Sequence, residues 1–262
     1  TTSSAASTGI VLIAGFLAAL FFAPQLLWIG LIAAILGLGL IEWSRLARLN
    51  RAGTALFVII GMLAAISAYA YPGFFSRSVL YGSAAVFWLL IAPLWLARRW
   101  TLPPALTALA GLIVLVPTAL ALIDLRQGTP GLLLALMAAV WIADSAAYFV
   151  GRKFGRRKLA PQISPGKTWE GALGALVVVA VYAFIITWAR DLTLTIALGL
   201  LMFVPLSIIG DLFESWMKRS AGVKDSGNLL PGHGGVLDRI DGLTATLPLA
   251  AGVFLLLHRA IA

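Results

Sequence analysis

The stretch ALTALAGLIVLVPTALALI, Ala105–Ile123, runs for 19 residues without a charge. A hydrocarbon span needs roughly 20 apolar residues, so this run is long enough to cross a bilayer as a helix. Comparable runs occupy 9–23, 26–43, 53–71, 79–97, 131–151, 170–189, 192–216 and 243–261, broken at Pro, Gly and charge clusters. They predict an all-α, polytopic membrane helix bundle of about nine transmembrane helices. Composition agrees: the chain is 61% hydrophobic and 11% charged, against roughly 45–50% and about 25% in a soluble domain. Nine spans use about 180 residues, which leaves no room for a separate soluble catalytic domain. Any chemistry therefore belongs to helix ends and loops.

The first two runs are separated only by Pro24-Gln25, so a tight or re-entrant hairpin competes there with two full crossings. A signal peptide is the weaker reading of residues 1–23, because no basic region precedes the apolar core and another apolar stretch follows at once. With no internal repeat or low-complexity linker, the chain reads as one integrated membrane domain. Residues 1–130 serve as scaffold, and 131–262 carry the site.

A net charge of +9 would point to nucleic acid in a soluble protein, but here it first reads as positive loops that hold topology. Fifteen of the 19 lysines and arginines fall in the loops after the second, fourth, sixth and eighth runs. The positive-inside rule places these loops in the cytoplasm, with the N-terminus inside and the C-terminus outside if all nine runs cross. The two longest loops, about 152–169 and 217–242, then share one compartment and can meet.

Only 10 acids are present. Glu42, Asp124 and Asp191 sit at span ends near Arg45, Arg126 and Arg190 and read as solvated interfacial groups. The other seven are Asp144, Glu170, Asp211, Glu214, Asp225, Asp238 and Asp241. Ionisable groups in or beside a span are costly and mark function by default. Helical spacing puts Asp211, Glu214, Ser215 and Lys218 on adjoining positions of one face, while Asp238 and Asp241 open the last helix at i, i+3. Converging carboxylates are hard oxygen ligands and favour Mg²⁺ over zinc. The competing reading takes Asp211–Lys218 and Asp238–Arg239 as structural ion pairs. Absence of cysteine excludes disulfides, thiolate metal sites and thiol nucleophiles.

Between these acids, Gly232, Gly234 and Gly235 allow backbone N–H groups to approach an anion, and Lys218, Arg219 and Lys224 supply charge for phosphates. His233 either hydrogen-bonds a phosphate or packs as a turn residue. The loops lack base-stacking platforms, which argues against nucleic acid. In the other loop, Gly166-Lys167-Thr168 imitates the end of a P-loop, but position 161 is Pro and no strand is predicted before it, so the Walker reading fails. Ser164 and Thr168 can cap the following helix, whose N-terminal end forms an anion site with Lys167. Asp144, Tyr148 and Gly151 recur at i, i+4, i+7 and lead into a basic cluster from Arg152 to Lys158. That cluster reads either as contact with anionic lipid or as capture of a lipid phosphate.

The run Ser215, Lys218-Arg219, Lys224-Asp225, Gly227, Pro231, His233-Gly234-Gly235 and Asp238-Arg239-Ile240-Asp241 resembles that of the phosphatidate cytidylyltransferase (CDP-diacylglycerol synthase) family. Ser164–Thr168 and the Asp144, Tyr148, Gly151-Arg152 region are similar to it as well, so the resemblance covers about residues 140–245. It implies a Mg²⁺-dependent transfer from CTP to phosphatidate, giving CDP-diacylglycerol and diphosphate, in a multi-pass enzyme of the bacterial inner membrane with its site facing the cytoplasm. On that basis Asp211, Asp238 and Asp241 are expected to hold the metal, with room for a second cation. Lys218 and Lys224 are expected to act in catalysis. Substrate contacts are expected from Arg219, His233, Gly234, Gly235, Arg239, Ser164, Lys167, Thr168, Asp144, Arg152, Ser215 and Asp225. The expected partners are CTP, phosphatidate and membrane lipid, with no nucleic acid, and a homo-oligomer is compatible. A lateral opening near the acids should admit the acyl chains. Two other classes compete: a secondary transporter using Asp144 and Asp211, which would need inverted repeats, and a membrane transferase with another nucleotide or acceptor.

Overall fold

The computed structural model describes residues 14–71, 76–190, 194–227 and 234–261. Residues 14–22 are helical. The main elements follow as α1 (Gln25–Leu46), α2 (Arg51–Ala70), α3 (Arg77–Arg98, with a π-helical turn at Phe87–Ile91), α4 (Pro104–Gly128) and α5 (Pro130–Phe154). A hairpin of β1 (Lys158–Ala160) and β2 (Ser164–Thr168) leads to α6 (Trp169–Ala189), α7 (Leu194–Ala221) and α8 (Leu237–Ile261). Among the described residues eight helices are long and apolar enough to cross a membrane. Part of the run at 9–23 lies outside the described residues. In hydrocarbon every backbone polar group must be satisfied internally, which is why these segments are helices.

The run quoted first forms α4, the central helix, which packs against α1, α2, α3, α5 and α8. Its buried face includes Val114, Leu115, Leu120 and Leu125. Outer helices instead leave apolar stripes uncovered, such as Leu56, Ile59, Leu63 and Ile66 on α2, as lipid-facing surfaces require.

An aromatic clamp sets the rotation of α7. The Phe213 ring meets Trp43 of α1 at 6.3 Å between centroids and Phe87, Trp88 and Trp95 of α3 at 5.3, 5.6 and 5.3 Å. With Phe213 held there, helical geometry turns Asp211, Ser215 and Lys218 to the opposite side.

The cation-rich turns gather at one end. The Arg48 guanidinium after α1 donates to the Ser220 carbonyl on α7, and Trp216 Nε1 donates to the Trp100 carbonyl at 3.0 Å. At the other end, two expectations are corrected. Asp124 is paired with Arg77 at 2.7 Å and accepts from the Tyr81 hydroxyl at 2.6 Å, while Arg126 is buried and donates to the carbonyls of Leu20 and Ala23 and to Gln25 Oε1. Two residues apart on one helix, Asp124 and Arg126 cannot face each other. Arg126 instead caps the C-terminal carbonyls of residues 14–22, where a cation is favoured. Asp191 lies outside the described residues.

Candidate active site

The loop after α5 is not wholly irregular. Gly166-Lys167-Thr168 sits inside β2, which pairs antiparallel with β1, so the predicted absence of a strand is corrected. The P-loop reading still fails, since the tripeptide is strand and not a turn before a helix. Ser164 opens β2 and lines the cavity described below, leaving Thr168 as the cap of α6: its Oγ1 accepts from Gly171 N at 3.1 Å. Two residues on, Glu170 accepts from the backbone N–H groups of Arg156 and Arg157 at 3.0 and 3.2 Å. This carboxylate fixes the start of the hairpin, and local sequence gave no sign of its partners.

The hairpin closes over a cavity of about 570 Å³ lined by Asp144, Tyr148, Gly151 and Arg152 of α5, Lys158, Leu159, Ser164 and Lys167 of the hairpin, and Asp211 of α7. Six residues predicted from two distant segments therefore share one cavity: Asp144, Arg152, Ser164, Lys167, Thr168 and Asp211. Lys158 closes the basic cluster read as anionic-lipid contact or phosphate capture, whereas Leu159 was not singled out beforehand. Lys167 Nζ lies 2.5 Å from Asp211 Oδ2, and Ser215 Oγ donates to Asp211 Oδ1 at 3.3 Å. Asp144, Asp211 and Asp241 lie close enough to feel one another's charge and that of Lys167.

Lys218 does not pair with Asp211. Its ammonium bridges Glu214 at 3.3 Å and Asp238 at 2.5 Å. Asp238, expected among the metal ligands, is engaged elsewhere: besides Lys218 it accepts from Ser226 N at 3.1 Å, Ser226 Oγ at 3.0 Å and Gly235 N at 2.8 Å. The Gly235 N–H expected to face a phosphate is thus bound to a side chain of the protein. Gly234 adopts φ +78, and a Cβ there would strike the Asp238 carboxylate; at Gly235 it would strike Ser226 and Glu42. Gly234 and Gly235 serve close approach to an anion, and that anion is a carboxylate of the chain.

The largest correction concerns Glu42. Instead of lying solvated beside Arg45 it is 4% exposed and accepts from Ser226 Oγ, Val236 N and Leu237 N, each at 2.9 Å. Arg152, Arg219, Lys224, Asp225 and Arg239 are exposed, and of these five only Arg152 lines the cavity. His233 and its neighbours Pro231 and Gly232 lie outside the described residues.

Among the described residues no three acidic or histidine side chains close on one point as a metal cage. Magnesium does not require one, since it commonly takes one or two carboxylates and completes its shell with water and substrate phosphates. Glu214 Oε1 is buried without a partner, beside Asp241. Asp144, Asp211 and Asp241, close to one another, and Glu214 beside Asp241 offer only oxygen donors, a chemistry that fits a hard divalent cation.

On another face of α5 runs an apolar trough of about 480 Å³, lined by Ala138, Trp141, Ile142, Ala146, Phe149 and Val178 among others. The Tyr148 ring, which lines the polar cavity, stands edge-on to Phe149 of the trough with centroids 5.4 Å apart. The two spaces therefore occupy neighbouring faces of one helix.

Comparison with known proteins gives a consistent result. The sequence model of the cytidylyltransferase family matches residues 3–257. A protein of Haemophilus influenzae named phosphatidate cytidylyltransferase is 37% identical over 272 aligned residues, covering 92% of this chain and 94% of the relative. A protein of the same name from Pseudomonas aeruginosa is 38% identical over 265, covering 94% of both. One from Thermotoga maritima is 42% identical over 133 residues, covering 48% of this chain and 49% of the relative.

Proposed function

The chain belongs to the cytidylyltransferase family, and from that premise we propose that its cavity joins CTP to phosphatidate, forming CDP-diacylglycerol and diphosphate. A phosphate monoester has a second pKa of about 6, so phosphatidate is largely dianionic near neutral pH and attacks without a dedicated base. One of its phosphate oxygens forms a bond to the α-phosphorus of CTP, and the bond from that phosphorus to the bridging oxygen of the leaving diphosphate breaks. What remains for the protein is in-line positioning and charge neutralisation.

Arg152, Lys158, Lys167 and Ser164 hold the phosphatidate head group in the cavity, and its acyl chains lie along the trough on α5. Lys218, Arg219 and Lys224 receive the CTP phosphates and the departing diphosphate. Asp211 and Asp241, with Asp144 and Glu214 beside them, would hold Mg²⁺. That ion supplies charge neutralisation on the triphosphate when bound. Asp238 serves this site by holding Lys218, Ser226 and Gly235. The end of the bundle that carries the site faces the cytoplasm, where CTP is found.

One observation carries the reading: the basic hairpin and the acids of α5 and α7 line a single cavity beside an apolar trough. Purified protein in detergent, given phosphatidate, Mg²⁺ and radiolabelled CTP, should yield a labelled lipid and diphosphate. No labelled lipid with any nucleoside triphosphate would overturn it.

A further inference from the structure

Glu42 stands out because its helix belongs to the half of the chain that otherwise serves as scaffold. Its carboxylate reaches the first turn of α8, where Oε1 accepts from Val236 N and Oε2 from Leu237 N and Ser226 Oγ. Unpaired N–H groups at a helix start attract an anion. Here a side chain from α1 fills that role in place of a local cap. Ser226 Oγ also lies 3.0 Å from Asp238 Oδ2, so one hydroxyl links Glu42 to the carboxylate that holds Lys218 at 2.5 Å. Both ends of the 227–234 segment are therefore clasped, at Ser226 and at Gly235–Leu237.

We infer that Glu42 is a positioning residue for CTP, acting through Ser226, the Val236–Leu237 backbone and the Asp238–Lys218 pair. This rests on the reading above that Lys218 and Lys224 bind the CTP phosphates. Glutamine at position 42 offers one oxygen for two backbone donors that now use different oxygens, so one N–H is left facing an amide NH₂ group. An unsatisfied buried donor shifts an equilibrium by roughly tenfold or more, and the shift should appear in the binding of CTP.

The test measures kcat and the KM for each substrate in Glu42→Gln, Ser226→Ala, the double variant and Lys224→Ala. Glu42→Gln should raise the KM for CTP about tenfold or more while the KM for phosphatidate stays near that of the unaltered enzyme. Ser226→Ala, which keeps both backbone bonds to Glu42, should raise it less, and the double variant should fall short of the product of the two effects. If Glu42→Gln does not fold, Ser226→Ala decides alone. A lower kcat with an unchanged KM for CTP in these variants would mean merely less folded enzyme and would overturn the inference. If Lys224→Ala leaves the KM for CTP unchanged, the reading of the loop has failed; if only Lys224→Ala raises it, the role of Glu42 has failed.

Discussion

Replacing Asp238 by Asn separates a metal ligand from a structural anchor. In the structure Oδ1 meets Lys218 Nζ at 2.5 Å, while Oδ2 takes Ser226 N, Ser226 Oγ and Gly235 N at 3.1, 3.0 and 2.8 Å. An asparagine oxygen can replace one of these two oxygens, so either Lys218 or the loop donors must face an NH₂ group. The pair is largely shielded, with side-chain exposures of 13% for Lys218 and 10% for Asp238. Removing one partner of such a pair costs about 3–5 kcal/mol, and the lower end applies because Glu214 remains 3.3 Å from Lys218. At about 2–4 °C per kcal/mol for a chain of this size, a loss of about 3 kcal/mol lowers the unfolding midpoint by roughly 6–12 °C. Asp211→Asn breaks a more open pair with Lys167, 31% and 23% exposed, and should cost no more than about 1 kcal/mol. That variant should stay folded and lose Mg²⁺-dependent turnover. The assay pairs thermal unfolding in detergent with a Mg²⁺ titration of labelled-lipid formation. An Asp238→Asn protein that melts like the unaltered enzyme but needs far more Mg²⁺ would refute the division of roles.

Three further outcomes are expected. Ala146→Trp fills the trough on α5 and should raise the KM for long-chain phosphatidate at least tenfold, since each displaced methylene is worth about 0.8 kcal/mol; dihexanoyl phosphatidate should be unaffected. Glu170→Gln weakens the anchor of Arg156 and Arg157, so the KM for phosphatidate should rise while that for CTP does not. Asp124→Asn at the opposite end loses the charge paired with Arg77 and one acceptor for Tyr81; it should cost about 1–3 kcal/mol in unfolding and leave both KM values unchanged.

Periodicity and local charge carried much of the fold. The eight apolar runs from 26–43 onward map onto α1 to α8, and of the residues spaced along one face of α7, Asp211, Glu214, Ser215 and Lys218, the structure joins Ser215 to Asp211 and Lys218 to Glu214. Thr168 was legible as a cap because the partner of a cap lies three residues away. Misread residues have distant partners. Glu42 was assigned to Arg45 by proximity in sequence, yet its donors lie 184, 194 and 195 residues on. Asp124 pairs with Arg77 across two helices, 47 residues back. The strand at Ser164–Thr168 contains Pro and Gly, which have low strand propensity, so its conformation comes from pairing with Lys158–Ala160 and not from its own residues. The glycines near position 235 pointed to an anion, but composition could not say that the anion was Asp238.

The long reach of Glu42 also sets an order of events during synthesis. At about 5–20 residues per second, the 195 residues between Glu42 and Leu237 take roughly 10–40 s to emerge. For that interval α1 is already made, while the N–H groups that its carboxylate will accept from do not yet exist. A nascent chain halted before α8 can assemble the aromatic clamp around Phe213, but it lacks the Asp238 carboxylate that joins Ser226 to Lys218. Glu42 and Lys218 therefore gain the partners that join them only when the last helix begins, and the first spans wait on the last.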